Sequence, residues 1–257
     1  MVTLAESIEF DPFSDEFFND PFDKYRLLRD HAPVYRNDKY NFWALSRYED
    51  VAPAMKDHQT YSSAHGVTLD HYIDPNALIP RDVIIMMDPP QHTRMRSLVN
   101  KVFTPRAIAQ LEPMVREIIT GFAAQVDPRS FDAVEEFSAL FPVEVITTML
   151  GVPPGERQQI RHWVDALLER EPNTGYSTPA SRQAAVDMWH YYHELVQWKR
   201  AHPGDDMISR LTEVEVQRDD GTVTRLSDFE ISAFASMLGG AGAETVAKLI
   251  GSGVVLF

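Results

Sequence analysis

The stretch Ser227–Phe257, SDFEISAFASMLGGAGAETVAKLIGSGVVLF, predicts the element around which the rest of the chain is organised. It opens with Ser227 and, three residues later, Glu230, which is the spacing of a capping box at the start of a helix. The residues that follow are apolar on nearly every face, so we expect one helix that is buried all round.

A cluster of three glycines lies inside this predicted helix, at Gly239, Gly240 and Gly242. Each interior glycine costs about 1 kcal/mol of helix stability relative to alanine. Bare backbone is useful where a flat, bulky group must lie against it, which indicates a cofactor site. Close packing against another helix explains the same glycines, and the stretch alone leaves both interpretations open.

An acid and a hydroxyl, Glu244 and Thr245, follow the glycines directly. The Thr245 hydroxyl can bond back to the Ala241 carbonyl, which bends a helix. We therefore expect a cofactor site with a proton path here. A membrane-spanning helix is disfavoured, because Glu244 and Lys248 would each cost about 2.5 kcal/mol or more near its middle.

The composition limits the function classes that the chain can belong to. The 257 residues include no cysteine, which removes disulfides, thiolate ligands and cysteine nucleophiles. A net charge of −14 disfavours nucleic acid and anionic membranes as main partners. No secretory leader is visible, so a cytoplasmic location is expected.

The coarse architecture is mainly α with small β-hairpins. Turn-like residues at 37–39 and 219–221 lie between short alternating runs, which predicts two hairpins. Ser46 and Glu49 match a second capping box. Residues 58–87 form a long irregular segment, whose apolar tail Val83–Met87 is expected to enter a core or line a pocket.

A second informative stretch is Asp88–Arg106, DPPQHTRMRSLVNKVFTPR. His92 and Arg96 are four residues apart and share a helix face. Turned inward, they would need an anionic partner such as a carboxylate or phosphate, which arginine binds bidentately. A solvated helix with ordinary salt bridges is the alternative.

Arg94 and Lys101 lie on a different face of this predicted helix, and no acidic residue occurs from Gln91 to Leu111. That local basic patch suits an acidic protein partner. By contrast, the spacing of His190, His193 and Glu194 lacks the second histidine of a zinc motif, so we expect an ordinary amphipathic helix there and no metal site.

Taken together, the two stretches resemble the cytochrome P450 family of heme-thiolate monooxygenases, in its soluble bacterial form. Residues 241–245, AGAET, are similar to the oxygen-binding motif of that family, and His92 with Arg96 is similar to its H-x-x-x-R helix. The order of elements fits along the whole chain. The resemblance implies a single, partial P450 domain over residues 1–257, with heme b as cofactor.

The resemblance also implies roles for individual residues. His92 and Arg96 would bind the heme propionates, and Ala241 and Gly242 would lie over the distal heme face. Glu244 and Thr245 would deliver protons during oxygen activation. The substrate pocket would be lined by Ile85, Met86, Met87 and Leu238. A ferredoxin or flavodoxin-like electron donor would dock on Arg94 and Lys101.

One departure from the family is the missing thiolate ligand, since the chain has no cysteine. The sequence ends inside the predicted central helix, so we expect it to be the N-terminal part of a monooxygenase of small hydrophobic substrates and inactive alone. The alternatives are a stand-alone helical small-molecule-binding protein and a non-functional gene remnant.

Overall fold

A computed structural model describes residues 8–77, 83–172, 174–217 and 221–256, apart from the side chains of Leu98, Lys101 and Val102. The chain divides into two compact units. Unit 1 comprises Met1–Ile79 and Arg170–Thr178, and unit 2 comprises Pro80–Glu169 and Pro179–Phe257. The expectation of a single domain is not tested by this division and stays a prediction.

The described residues of unit 1 form four short helices and one hairpin. The helices are α1 Asp15–Asn19, α2 Phe22–His31, α3 Tyr48–Ala54 and α4 Leu69–Ile73. Strands β1 Val34–Asn37 and β2 Phe42–Leu45 pair antiparallel, with Val34 opposite Leu45 and Asn37 opposite Phe42. This confirms the first predicted hairpin.

The second predicted capping box, Ser46 with Glu49, is wrong. Helix α3 begins at Tyr48, its N-cap residue is Arg47, and no side chain caps it. The Ser46 hydroxyl instead donates to the Pro33 carbonyl at 3.3 Å. A tertiary acceptor next to the hairpin has therefore displaced the local hydrogen bond that the sequence pattern predicts.

Unit 2 is built almost entirely from helices. Its helices are α5 Gln91–Val102, α6 Pro105–Ala109, α7 Glu112–Ala123, α8 Phe141–Leu150, α9 Arg157–Leu167, α10 Pro179–Ala201, α11 Met207–Glu213 and α12 Asp228–Leu256. The described residues of this unit also form 3-10 turns at Ile84–Met86 and Pro154–Glu156 and a π-helical segment, Val134–Ser138. Among the described residues, no helix is both long and apolar enough to cross a membrane.

The second hairpin also lies in unit 2. Strands β3 Glu215–Gln217 and β4 Val223–Arg225 pair antiparallel, with Glu215 opposite Arg225. Two of the three turn residues on which the prediction rested, 219 and 220, lie outside the described residues. The mainly helical architecture with two small hairpins is thus confirmed.

The start of α12 matches the sequence prediction. The Glu230 carboxylate accepts from the Ser227 amide at 2.8 Å, and the Ser227 hydroxyl accepts from the Glu230 amide at 3.2 Å. These two hydrogen bonds are the reciprocal pair of a capping box. They confirm the predicted helix start.

Burial along α12 differs from the expectation of a helix buried all round. The first half packs into the core of unit 2, where Ile231 and Ala235 are fully buried. In the second half, Leu249 and Val255 are 72% and 86% exposed. Helices α8 and α10, with the π-helical segment and α9, pack against α12, and the exposed side chains lie on a side of its second half that these elements do not cover.

Candidate heme and oxygen-binding site

Helix α5 carries the predicted propionate-binding residues. His92 is half-buried and Arg96 is exposed. Met95, Val99 and Phe103 of the same region pack against the core of unit 2, which fixes the orientation of the helix. Within the described residues, neither the His92 nor the Arg96 side chain takes part in a hydrogen bond or an ion pair, so both keep their polar atoms available for an anion.

The predicted backbone-directed bond of Thr245 is present in α12. The Thr245 hydroxyl donates to the Ala241 carbonyl at 3.0 Å. Both residues are exposed, and their spacing of four places them on one face of the helix. This face presents a small side chain and a hydroxyl to any group that lies against it.

Two glycines of α12, Gly239 and Gly242, serve helix packing in this structure. A Cβ on Gly239 would lie 2.5 Å from the Tyr192 hydroxyl of α10, and one on Gly242 would lie 2.8 Å from Ile146 Cγ1 of α8. The packing interpretation therefore accounts for the missing side chains at both positions. The cofactor role of Gly242 stays a prediction. If Gly242 contacts a cofactor, it would do so through its backbone, because the position of its missing Cβ faces Ile146.

Glu244 lies on a different flank of α12 from Thr245. Its carboxylate forms an ion pair with Lys248 one turn later, and its side chain is only 26% exposed. Glu244 and Lys248 line a groove of about 550 Å³ between α12, α9 and the π-helical segment. The other lining residues are Val134, Glu135, Ala139, Val143, Arg161, Val164, Asp165, Ala243, Ala247, Gly251, Ser252 and Val255.

The predicted substrate-pocket residues have mixed environments. Met86 is buried, Ile85 is exposed, and Met87 and Leu238 are half-buried. Val83 and Ile84 are buried beside them, so most of the apolar tail is withdrawn from solvent. Neither the groove beside Glu244 nor a second cavity of about 210 Å³ in unit 2 is lined by these residues, and their role in substrate binding stays a prediction.

The predicted docking residues are described only in part. Arg94 is half-buried on α5. Lys101 belongs to the same helix, but its side chain lies outside the described residues. The docking role of both residues stays a prediction.

The histidines of α10 pack as ordinary helix residues. His193 stacks on Trp189 with 4.9 Å between ring centroids, and its ring nitrogens contact Gln197 at 3.1 Å and Ser232 at 3.4 Å. This confirms the amphipathic interpretation. Among the described residues, no three His, Asp or Glu side chains group in a way that could hold a metal ion.

Sequence reasoning missed the ion pair of Glu244 with Lys248 and the presence of Arg161 in the same groove. The ion pair with Lys248 has a readable signal, since an acid four residues before a lysine on a helix is a favourable pair. Arg161 of α9 has no such signal, because only the tertiary packing brings α9 to the same groove.

The described residues fit part of a heme site. His92 and Arg96 have polar atoms free for propionates, and the Ala241–Thr245 face is open and carries one hydroxyl. An axial thiolate cannot come from these 257 residues, which contain no cysteine. The side chains predicted to meet propionates and the distal heme face thus have polar atoms available, and their roles stay predictions.

Comparison with known proteins points to one family, although no family model matches the chain. The chain is 39% identical over 245 residues to cytochrome P450 123 of Mycobacterium tuberculosis. The aligned region covers 95% of this chain and 60% of the relative. It is 34% identical to a vitamin D(3) 25-hydroxylase of Pseudonocardia autotrophica, over 99% of this chain and 62% of the relative.

The fold agrees with the sequence comparison. The structure of cytochrome P450 CYP109Q5 from Chondromyces apiculatus matches with a TM-score of 0.80 at 30% identity, over 97% of this chain and 61% of that one. The chain thus spans about three fifths of the length of the relatives that it matches. Over about three fifths of their length, cytochromes P450 are similar to this chain in both sequence and fold.

Proposed function

We propose that the chain provides the propionate-binding helix and the oxygen-binding helix of a heme-dependent monooxygenase. The observation that carries the proposal is the bond from the Thr245 hydroxyl to the Ala241 carbonyl, on an open face of α12. The hydroxyl has a fixed acceptor there and still offers its oxygen lone pairs to a group on that face. The relatedness to cytochromes P450 supports the same assignment.

When bound with a thiolate ligand, the heme would supply the chemistry that inserts one atom of O2 into a C–H or C=C bond, while two electrons and two protons reduce the other atom to water. In this chain, Arg96 would hold a propionate bidentately and His92 would donate a second hydrogen bond to a propionate. Thr245 would accept a hydrogen bond from a group on the distal face and so hold it in place, and Glu244 would supply protons from the groove on its flank.

The substrate that we propose is a small, hydrophobic organic molecule. The buried apolar run that includes Ile84 and Met86 supports this class, as does the relative named for hydroxylation of vitamin D(3). We also propose an acidic ferredoxin or flavodoxin-like protein as electron donor. It would bind the face of α5 that carries Arg94 and Lys101, in a stretch without acidic residues.

Hemin titration of the 257-residue chain, followed by visible absorption, tests the proposal. We expect saturable binding that Arg96→Ala weakens about 10- to 100-fold, because a hydrogen bond between charged groups contributes about 1.5–3 kcal/mol. Arg106→Ala is the matched control, since Arg106 is an exposed arginine of the neighbouring helix α6. Hemin affinity that is equal in the parent and in Arg96→Ala would refute the assignment of α5.

A carbonyl spectrum on the reduced, hemin-loaded chain separates this proposal from an enzyme that is complete in itself. We expect no thiolate-type band, because the chain has no cysteine. A stand-alone binding protein, the second function considered, would instead bind apolar ligands with the same affinity whether or not hemin is present.

A further inference from the structure

The second cavity of unit 2, about 210 Å³ in volume, lies where α6, α7, α8 and α11 meet. Its apolar wall is formed by Phe103, Ile108, Leu111, Met114, Met149 and Met207. Of the described residues of α12, none lines this cavity. The cavity therefore shares no described residue with the candidate heme face of that helix.

The sulfur content of this wall indicates a class of ligand. Three of the ten methionines of the chain line this one cavity, namely Met114, Met149 and Met207. The methionine thioether is polarizable and adapts its shape, and its sulfur makes favourable contacts with aromatic rings. The Phe103 ring can also pack edge-to-face or offset-stacked against another ring. These groups together favour a flat aromatic ligand over a saturated one.

The polar groups at the wall already have partners inside the protein. Arg210 is paired with Asp205 at 2.6 Å, and Asp206 is paired with Lys199 at 2.6 Å. The Thr148 hydroxyl donates at 2.6 Å to a backbone carbonyl one turn earlier in α8. A charged ligand would lose its hydration on entering and would have to compete for groups that are already paired. The cavity therefore suits a neutral ligand.

The volume limits the size of the ligand. An apolar cavity of about 150 Å³ is large enough to hold benzene, so this cavity can hold one ring or two fused rings. We propose that it is a binding site for a small, neutral aromatic molecule. This inference goes beyond the proposed function and does not rest on it, because the residues that carry it belong to other helices than the heme face.

Methionine-methyl NMR of the 257-residue chain, with indole as the probe, tests the site. The ring current of bound indole should shift the methyl signals of Met114, Met149 and Met207 together, with one dissociation constant between about 10 µM and 1 mM. Met55, which is 84% exposed in unit 1, is the internal reference and should not shift. Three cavity methionines that do not respond together, or a Met55 signal that shifts equally, would overturn the proposal.

A substitution in α6 tests whether indole occupies the cavity itself. Ala107 is half-buried and lines the cavity, so Ala107→Leu should fill part of it and weaken indole binding at least about tenfold. Leucine forms helices nearly as well as alanine, so α6 should be retained. Ala109→Leu, at an exposed position of the same helix, is the matched control and should bind indole like the parent. Equal affinity in the two folded variants contradicts the proposal.

The parent chain alone tests the chemical class, so the proposal stays decidable if Ala107→Leu does not fold. 3-Acetylindole and indole-3-carboxylate have nearly the same shape and differ in charge. We expect the carboxylate to bind at least about tenfold more weakly than 3-acetylindole, because its charge would lose water without gaining a partner. Equal binding of the two overturns the assignment. These titrations contain no heme, so their failure is distinguishable from a failure of the hemin titration.

Discussion

Gly242 of α12 approaches Ile146 of α8 so closely that a Cβ on the glycine would lie 2.8 Å from Ile146 Cγ1. Helix α12 can therefore pack this closely against α8 at Gly242 only because the glycine has no side chain. The neighbouring Gly240 is different, since the nearest atom to its would-be Cβ is Val164 Cγ2 at 4.0 Å, an ordinary contact.

These two glycines predict opposite effects of the same substitution. Gly240→Ala should stabilise the chain by up to about 1 kcal/mol, because alanine is the better helix former and the space is open. Gly242→Ala should destabilise it, because overpacking costs typically about 1–3 kcal/mol and exceeds the propensity gain. Thermal or urea unfolding of the two variants measures the difference. A stabilising Gly242→Ala would mean that α12 does not pack against α8 in this way.

Tyr192 provides a prediction on pH. Burial raises the pKa of its phenol above the ordinary value. Below about pH 10, the ordinary value for tyrosine, both the folded and the unfolded states keep the proton and stability is unaffected. Above that pH the unfolded state loses the proton first, so the free energy of unfolding should fall as pH rises.

Tyr192→Phe should therefore flatten the alkaline decrease in stability. It should also stabilise the chain by about 1 kcal/mol near pH 7, because the Tyr192 hydroxyl is buried without a hydrogen-bond partner among the described residues. Unfolding curves at neutral pH and above pH 10 check both effects. Tyr48→Phe, at an 84% exposed tyrosine, is the control that should change neither. A Tyr192→Phe variant as sensitive to alkali as the parent would contradict the account.

The exposed second half of α12 predicts self-association. Leu249, Val255 and Leu256 are 72%, 86% and 81% exposed. Neighbouring exposed apolar side chains favour aggregation, so Leu249→Glu should raise the concentration at which the chain stays monodisperse in light scattering. Val67→Glu, at an exposed apolar residue of unit 1, should have no such effect. A parent chain that stays monomeric at high concentration would show that this surface is harmless.

Local patterns in the sequence predicted local structure well where no tertiary contact competed. Ser227 and Glu230 form the capping box that their spacing predicts, and Thr245 bonds to Ala241 as expected. Ser46 shows the limit, because a tertiary acceptor took the hydroxyl that the pattern assigned to a helix start.

The candidate site was predictable only as far as residues on one helix define it. The spacing of four between His92 and Arg96 and the AGAET motif of α12 are visible in the sequence. The contact of Gly242 with Ile146 depends on how two helices pack, and so does the arrival of Arg161 at the groove. No spacing rule connects positions that are brought together by packing alone.

The most direct test of the central claim is whether a heme lies against the Ala241–Thr245 face and depends on α5. Methyl NMR of Ala241 and Thr245 measures this, because paramagnetic hemin broadens nearby signals and diamagnetic zinc protoporphyrin does not. We predict that hemin broadens both methyl signals in the parent chain and leaves them sharp in Arg96→Ala at the same concentration. Broadening that is absent in the parent, or unchanged in Arg96→Ala, would contradict the assignment of these two helices to one heme site.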